Sequence, residues 1–473
     1  MQRIMKNRQI TFTFDDVAET SLPQTCHGPR VSVPLRPIHY LGSKLRIVDL
    51  VREVVDRVDA SGGPVCDLFA GSGTVSRELS TFRSVVAVDI QEYSRVLCSA
   101  LLKPPCVKKD DVTQFLNKAL SSEHARRLSW AIEPMVSYEA SCRHQAEIGN
   151  VEPLCQLFEY ASIISFEHGA GHFKDAVLSS ALNETVSRLR KASLVDTPSA
   201  MTTRYFGGIY FSYLQASQID MLLEAVSSLS LSERDIFLAA VLSTASEVVN
   251  TVGKQFAQPI RPRFADGRPK PNLYKRFTRD RTIDATDAFT TWIARYLAVQ
   301  PSVREHRVIR SDYADALDNM EGQVSVVYAD PPYTRDHYSR YYHVLETLCL
   351  RDCPSVSTVR IDGDDRMSRG IYRTGRYQSP FCIKSKAPYA FSTLFAKVRC
   401  LKVPLVLSYS PFEKKTGARP RLMAIKDIVE LSRKSFSSVE VIPAGRISHS
   451  KLNRSDMNKA VSLGAETFII CKP

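Results

Sequence analysis

Two short constellations in this 473-residue chain have the residue types for chemistry. The first is Asp330-Pro331-Pro332-Tyr333, behind an apolar run from Val324 to Ala329 that reads as a central strand. Pro332 restricts Pro331 to an extended backbone, and the two rings stiffen the turn. The Asp330 carboxylate and the Pro331 carbonyl then stand as two fixed acceptors beside the flat ring of Tyr333. Two acceptors and a stacking ring suit an exocyclic amine on a planar base. A plain proline-rich loop after a strand is the alternative.

The second constellation is Asp67-Leu68-Phe69-Ala70-Gly71-Ser72-Gly73. Its glycines allow a tight turn and the close approach of a ligand to the backbone. A helix N-terminus behind the turn favours polar or anionic groups. Asp89 lies 22 residues beyond Asp67, at the end of the next predicted strand. An acid there can accept hydrogen bonds from both ribose hydroxyls, which points to an adenosine-containing cofactor. The third glycine of Gly-x-Gly-x-x-Gly would fall at Ser76, and no Gly-Lys-Ser/Thr follows. Dinucleotides and nucleoside triphosphates are therefore disfavoured.

The elements that must position these residues alternate strand and helix. Residues 44–60 carry Ile47, Leu50, Val51, Val54, Val55 and Val58 at helical spacing, with Lys44, Arg46, Asp49 and Arg52 outward. Val65–Phe69 reads as a buried strand, Thr74–Phe82 as a helix and Ser84–Ile90 as a second strand. From about 116 to 300 helical periodicity takes over, as in Leu116–Ile132 and Ile219–Leu229. Parallel-sheet signals return at Val324–Ala329, Val403–Tyr409 and Thr467–Cys471. The fold class is α/β, with a doubly wound sheet split by a large, mostly helical insert.

With both constellations in place, a family resemblance emerges. Asp67–Gly73 together with Asp330–Tyr333 resembles the S-adenosylmethionine-dependent amino-methyltransferases. Upstream, His39-Tyr40-Leu41-Gly42-Ser43-Lys44 is similar to the N-terminal cofactor motif of the α-group, Dam-type DNA adenine methylases. Their usual form is aromatic-x-Gly-Gly-Lys, and Ser43 replaces the second glycine here. The order of cofactor motifs, insert and catalytic motif is also that of the α-group. Arg310–Leu317 stands where the family has its adenine-contacting acidic motif, and Val403–Ser410 resembles a later sheet strand.

The resemblance implies a Rossmann-like methyltransferase sheet with helices on both faces, plus a mostly helical target-recognition insert. It divides the chain into an N-terminal arm (1–35), a first methyltransferase part with the cofactor motifs (36–115), the insert (116–300) and a second part with the catalytic motif (301–473). It implies that Tyr40 and Lys44 close over S-adenosylmethionine. Asp67, Phe69, Ala70, Gly71 and Gly73 would hold its methionine part, Asp89 and Ile90 its ribose side, and Asp312 and Tyr313 its adenine ring. Lys44 and Asp312 also fit plain surface roles. Asp330, Pro331, Pro332 and Tyr333 would carry catalysis on N6 of an adenine flipped out of the duplex. No metal is required.

Charge adds a partner. Lys plus Arg is 63 against 50 Asp plus Glu, a net +13, which favours polyanions. Residues 254–281 hold nine basic residues against Asp266 and Asp280. Phe256, Phe264, Tyr274 and Phe277 interleave, and prolines and Gly267 point to a loop. Lys254, Arg261, Arg263, Lys270, Lys275 and Arg276 could neutralise phosphates of double-stranded DNA, or form a solvated basic loop. A second cluster runs from Arg335 and Arg340 through Arg360, Arg366, Arg369, Arg373 and Arg376. Tyr338, Tyr341, Tyr342 and His343 near its start divide between a nucleic-acid channel and the core of a helix over 339–349.

The remaining composition sets bounds. Hydrophobic residues at 44% and charged at 24% describe a globular chain. Eleven scattered cysteines with no Cys-x-x-Cys argue against a disulfide framework or a zinc site. The start has no signal-peptide apolar region, and the best membrane candidate, Ile236–Val249, is short and contains Glu247. A cytoplasmic setting is expected, in a bacterium or phage by analogy with the family. The expected role is restriction–modification or defence, with room for a cognate nuclease or defence subunits and with oligomeric state open. Cytosine-N4 or RNA adenine methylation needs the same acceptors, and a non-catalytic DNA-binding subunit is the reading from another class.

Overall fold

Strands apolar on both faces build the centre of the molecule. The computed structural model describes residues 35–169, 175–195, 197–335, 338–361, 363–410, 421–444 and 466–473. The arm read at 1–35 lies outside these, apart from Leu35. In chain order the strands are β1 (Val65–Leu68), β2 (Val85–Asp89), β3 (Arg307–Arg310), β4 (Val326–Ala329), β5 (Thr358–Ile361), β6 (Asp364–Met367), β7 (Leu405–Tyr409), β8 (Ser438–Pro443) and β9 (Thr467–Lys472). Seven form one sheet in the order β3-β2-β1-β4-β7-β9-β8, and β5-β6 is a separate hairpin. This is a Rossmann-like, methyltransferase-type α/β sheet with helices packed on both faces.

Side-chain alternation divides the core into two layers. Cys66, Leu68, Val86, Val88, Val327, Leu405 and Leu407 pack under helices Tyr313–Asp318, Ala387–Cys400 and Ile425–Arg433. Val65, Val85, Ala87, Val326 and Val406 face the helix Val48–Val58 on the other side. Parallel pairing of β1 with β2 and β4 brings the C-terminal ends of these strands together, beside β7. Asp67, Asp89 and Asp330 lie at or just beyond these ends.

Several elements depart from the sequence reading. Thr467–Cys471, read as one more parallel strand, is antiparallel to both β7 and β8. It closes the sheet between two parallel strands, where no crossover helix is required. β3 and β8 carry no apolar run because they are the sheet's two edges and are largely exposed. The helix read over 116–132 is two helices, Lys109–Ser121 and Glu123–Glu147. Ser122 separates them, and its hydroxyl accepts the Ala125 N–H at 3.1 Å as an N-cap. The basic segment 254–281 is not all loop, since Leu273–Arg281 is helical. Leu273, Phe277 and Arg281, spaced by four, form its buried stripe.

Every helix or strand between β2 and β3 among the described residues is a helix. The helix Leu231–Val248 explains the apolar run near 236–249. It packs against Tyr213–Ser227, Ala285–Leu297 and Glu92–Leu102, so nearly all its faces meet protein. Among the described residues no helix is long and apolar enough to cross a membrane.

Charge is also spent inside this helical region. The Arg281 side chain is fully buried, 3.0 Å from Glu139 Oε1 and donating to the Gly208 carbonyl at 2.7 Å. Burial pushes Glu139 up to about 6 even with this arginine beside it. Replacing Arg281→Met would leave a buried carboxylate without its cation, and roughly 3–5 kcal/mol of stability should be lost. Urea unfolding at pH 7 measures it, and adding Glu139→Gln should recover a large part of the loss.

Candidate active site

The turn after β1 begins with strain. Phe69 has φ 76°, a region that non-glycine residues rarely adopt. Gly71 follows at φ +57°, and a Cβ there would lie 2.7 Å from the Tyr40 hydroxyl. Only glycine allows Tyr40 to close over this turn. The Gly71 N–H donates to Asp89 Oδ2 at 2.9 Å, and the Gln91 N–H donates to Oδ1 at 2.9 Å. The carboxylate is thus oriented at the pocket wall, and burial raises its pKa. Asp67 is 1% exposed and accepts the Ser76 hydroxyl at 2.5 Å, and burial pushes it up to about 7.

One pocket joins this turn to the Asp330–Tyr333 motif. Tyr40, Lys44, Asp67, Phe69, Ala70 and Gly71 line it. So do Asp89, Ile90, Asp312 and Tyr313, and Asp330, Pro331, Pro332 and Tyr333. Gly73 is not among the lining residues. It caps the helix Thr74–Leu79 at φ +74°, and a Cβ there would press on Leu101 and Cys98 at 3.0 and 3.2 Å. Asp312 caps its own helix through the Ala314 N–H at 2.9 Å and accepts the Tyr377 hydroxyl at 2.8 Å. Phe69 packs against Tyr313 and Phe381, with ring centroids 5.7 and 5.4 Å apart, giving an apolar wall suited to a flat heterocycle.

The centre of the site is a buried cation between two carboxylates. Lys44, read as outward on the sequence, is 6% exposed. Its Nζ lies 2.9 Å from Asp330 Oδ2 and 3.3 Å from Glu466 Oε1. Its helix begins only at Val48, so Lys44 sits in a preceding 3-10 turn that aims it inward. Burial alone would lower its pKa, but Asp330 and Glu466 reverse this and hold it well above the usual lysine range. Ser408 donates to Glu466 Oε1 at 2.9 Å and fixes that acid in turn. Tyr333 is 7% exposed, with Arg421 4.6 Å and Lys44 5.5 Å from its ring centroid.

Sequence reasoning missed Glu466, Arg421 and Glu346, and it named Tyr342 only among the aromatics divided between a nucleic-acid channel and a helix core. Tyr342 stacks on Tyr40 at 4.9 Å, and its hydroxyl accepts the Leu41 N–H at 2.6 Å. Glu346 accepts the N–H groups of Glu92 and Tyr93, both at 3.1 Å, tying the helix behind the catalytic motif to the helix behind Asp89. The Tyr-Tyr-His run after the catalytic motif was the available signal, since one apolar helix face cannot hold so many polar rings idly. Tyr338 lines the pocket, whereas His343 is buried beside Tyr210 and Tyr372 and pushed down to about 3 by burial.

The candidate DNA-contacting residues scatter. Arg263 is held by Glu152 at 2.5 Å and Glu159 at 3.1 Å, and Lys254 lies 2.9 Å from Asp280. Lys270 donates to the Arg261 carbonyl at 2.8 Å. Arg261, Lys275 and Arg335 are exposed and Arg276 is half-buried. Arg340 is exposed next to the pocket-lining Ser339. Replacing Lys44→Met would leave Asp330 and Glu466 facing each other across a buried position. Stability at pH 7 should fall on the order of 3 kcal/mol. The deficit should shrink at pH 5, because protonating either carboxylate removes the repulsion. Urea midpoints at the two pH values check both the size and the sign.

Comparison with known proteins bears on this geometry. Residues 40–129 match the family model of the D12 class N6 adenine-specific DNA methyltransferases. The modification methylase LlaI of Lactococcus lactis subsp. lactis is 20% identical over 397 residues, 84% of this chain and 49% of that protein. The chain therefore spans about half the length of the curated relative it matches. The matched segment runs from Tyr40 through the β1 turn and Asp89, so it covers the part of the pocket lined by Tyr40, Gly71 and Asp89. The resemblance read from the motifs is borne out: residues 40–129 carry the signature of the D12 class of N6 adenine-specific DNA methyltransferases, within a methyltransferase-type sheet.

Proposed function

We propose that this chain is a site-specific DNA methyltransferase that modifies N6 of adenine in double-stranded DNA, using S-adenosylmethionine, in a restriction–modification or defence setting. The observation that carries this reading is the Asp330 carboxylate, oriented by Lys44 and sharing one pocket with Gly71 and Asp89. The residues present fit the cofactor. Asp89 offers an acid for a ribose diol, the rings of Phe69 and Tyr313 an apolar wall for a purine, and Gly71 a turn that a Cβ would block. When bound, S-adenosylmethionine supplies an electrophilic methyl group on a sulfonium sulfur.

The protein's own part is to make a poor nucleophile competent. The N6 lone pair of adenine is delocalised into its ring. Asp330 and the Pro331 carbonyl accept the two N6 hydrogens, favour a pyramidal nitrogen and offset the positive charge that develops on it. Lys44 is a positioning residue, since it holds Asp330 Oδ2 and touches the ring of Tyr333 rather than the base. A base inside a duplex cannot reach this depth and has to be flipped out. Tyr333 is the ring on which it stacks. Because Tyr333 is 7% exposed, with Arg421 over its ring, Arg421 has to yield as the base arrives. The partner is DNA, and the insert is the part assigned to target recognition.

Modification mapping tests the whole reading. The chain is expressed in a methylation-free host, and the genomic DNA is sequenced for modified bases alongside an Asp330→Ala control. N6-methyladenine at one short motif, absent from the control, is expected. N4-methylcytosine at a motif would reassign the target base, and no DNA mark in either strain would sink the proposal.

Asp67 adds a pH dependence. Burial raises its pKa to about 7, so the apoprotein is favoured with Asp67 protonated, and that contribution fades as pH rises toward 7. A cationic ligand in the pocket favours the ionised form. Affinity for S-adenosylmethionine should therefore rise between pH 6 and 8, by up to about tenfold. Calorimetry on the wild type and on Asp67→Asn checks this, with the variant expected to lack the rise.

A further inference from the structure

Several arginines of the two basic clusters are already neutralised by acids. Arg263 is paired with Glu152, Arg279 with Asp280, Arg281 with Glu139 and Arg373 with Asp352. Arg340 and Arg376 differ. Neither makes an ion pair with a carboxylate among the described residues, yet both are drawn to one ring. Their guanidinium carbons lie 4.8 and 5.2 Å from the centroid of Tyr372. Arg340 also donates to the Tyr372 hydroxyl at 3.2 Å. Arg376 Nη1 is buried with no hydrogen-bond partner.

The platform beneath them is built rather than incidental. The Tyr372 hydroxyl donates to the Ala257 carbonyl, and its ring covers Gly370, where any Cβ would collide with it. Two like charges held together without an acid repel each other. Burial and then Arg340 push the pKa of Arg376 down. An anion bridging the two guanidinium groups would relieve that repulsion and satisfy the buried Nη1, and a phosphate matches their fork geometry.

Each arginine adjoins a pocket-lining residue in the chain. Ser339, one residue before Arg340, and Tyr377, one residue after Arg376, both line the pocket. S-adenosylmethionine carries no phosphate, whereas the DNA strand carries one per nucleotide. We propose that Arg340 and Arg376 clamp a backbone phosphodiester of the DNA strand that bears the target base, next to the flipped nucleotide. This rests on the reading of the chain as a DNA methyltransferase. The clamp positions the strand and carries no sequence information of its own.

The test uses the full chain and a fluorescent duplex of mixed sequence, with anisotropy titrations across a series of salt concentrations. Arg340→Gln and Arg376→Gln should each weaken binding and lower the slope of log affinity against log salt by about 1, the loss of one phosphate contact. Arg340→Lys and Arg376→Lys should keep most of the slope. Arg268→Gln, whose side chain is exposed and paired with Asp266, should leave it unchanged. Calorimetry should show S-adenosylmethionine binding unaltered in every variant. Unchanged slopes in both glutamine variants would overturn the clamp, and so would a joint loss of cofactor binding, which marks a structural role. A wild-type chain that fails to bind duplex DNA overturns the DNA reading itself, and that failure is seen before any variant is made.

Discussion

A lysine buried between two carboxylates is the constraint on which the site depends. Lys44 arrives from the segment before the first helix, Asp330 from the end of β4 and Glu466 from the start of β9. Taking three charges out of water is costly, and their mutual attraction returns that cost only when the geometry is well held. Here the holding is extensive. Ser408 fixes Glu466, Tyr342 fixes the backbone at Leu41, and the ring of Tyr40 lies between Tyr342 and the Gly71 turn. The return is orientation. Asp330 becomes an acceptor of fixed direction, and under the proposed function that preorganisation is what would lower the barrier.

The same logic accounts for the sheet. Parallel β1, β2 and β4 deliver Asp67, Asp89 and Asp330 to one end because their side chains alternate between two apolar layers. An all-parallel sheet would not bring Glu466 to this place. The antiparallel β9 reverses direction and presents its first residues, not its last, at the catalytic end. Glu346 adds a second tie, since it joins the helix behind the catalytic motif to the helix behind Asp89. The Asp89 side and the Asp330 side of the pocket are in this way one mechanical unit.

Charge proved the least transferable signal. The segment 254–281 carries nine basic residues, yet Lys254, Arg263, Arg279 and Arg281 are committed to internal acids. Asp280 meets Lys254 and Arg279 from within the segment, but Glu152, Glu159 and Glu139, which meet Arg263 and Arg281, lie more than a hundred residues earlier, so a local count of charge overstates what the surface presents. Arg340 and Arg376 stand out for the opposite reason. Among the described residues no acid pairs with either, and both lie over the ring of Tyr372.

The sequence alone determined the chemistry-bearing motifs and the doubly wound class. Both are local properties. Two acceptors locked by consecutive prolines, a glycine turn behind an apolar strand and an acid one strand later are written in a few adjacent residues each. The buried strands β1, β2, β4 and β7 were legible within two residues of their ends because both faces are apolar. Edge strands β3 and β8 were not, because water replaces packing on much of their surface. Only the tertiary structure decided that Lys44 turns inward to Asp330, that Glu466 joins it from 136 residues beyond Asp330, and which arginines are already neutralised. Pairings between distant charges depend on which elements the fold makes neighbours, and no periodicity in the chain encodes that distance.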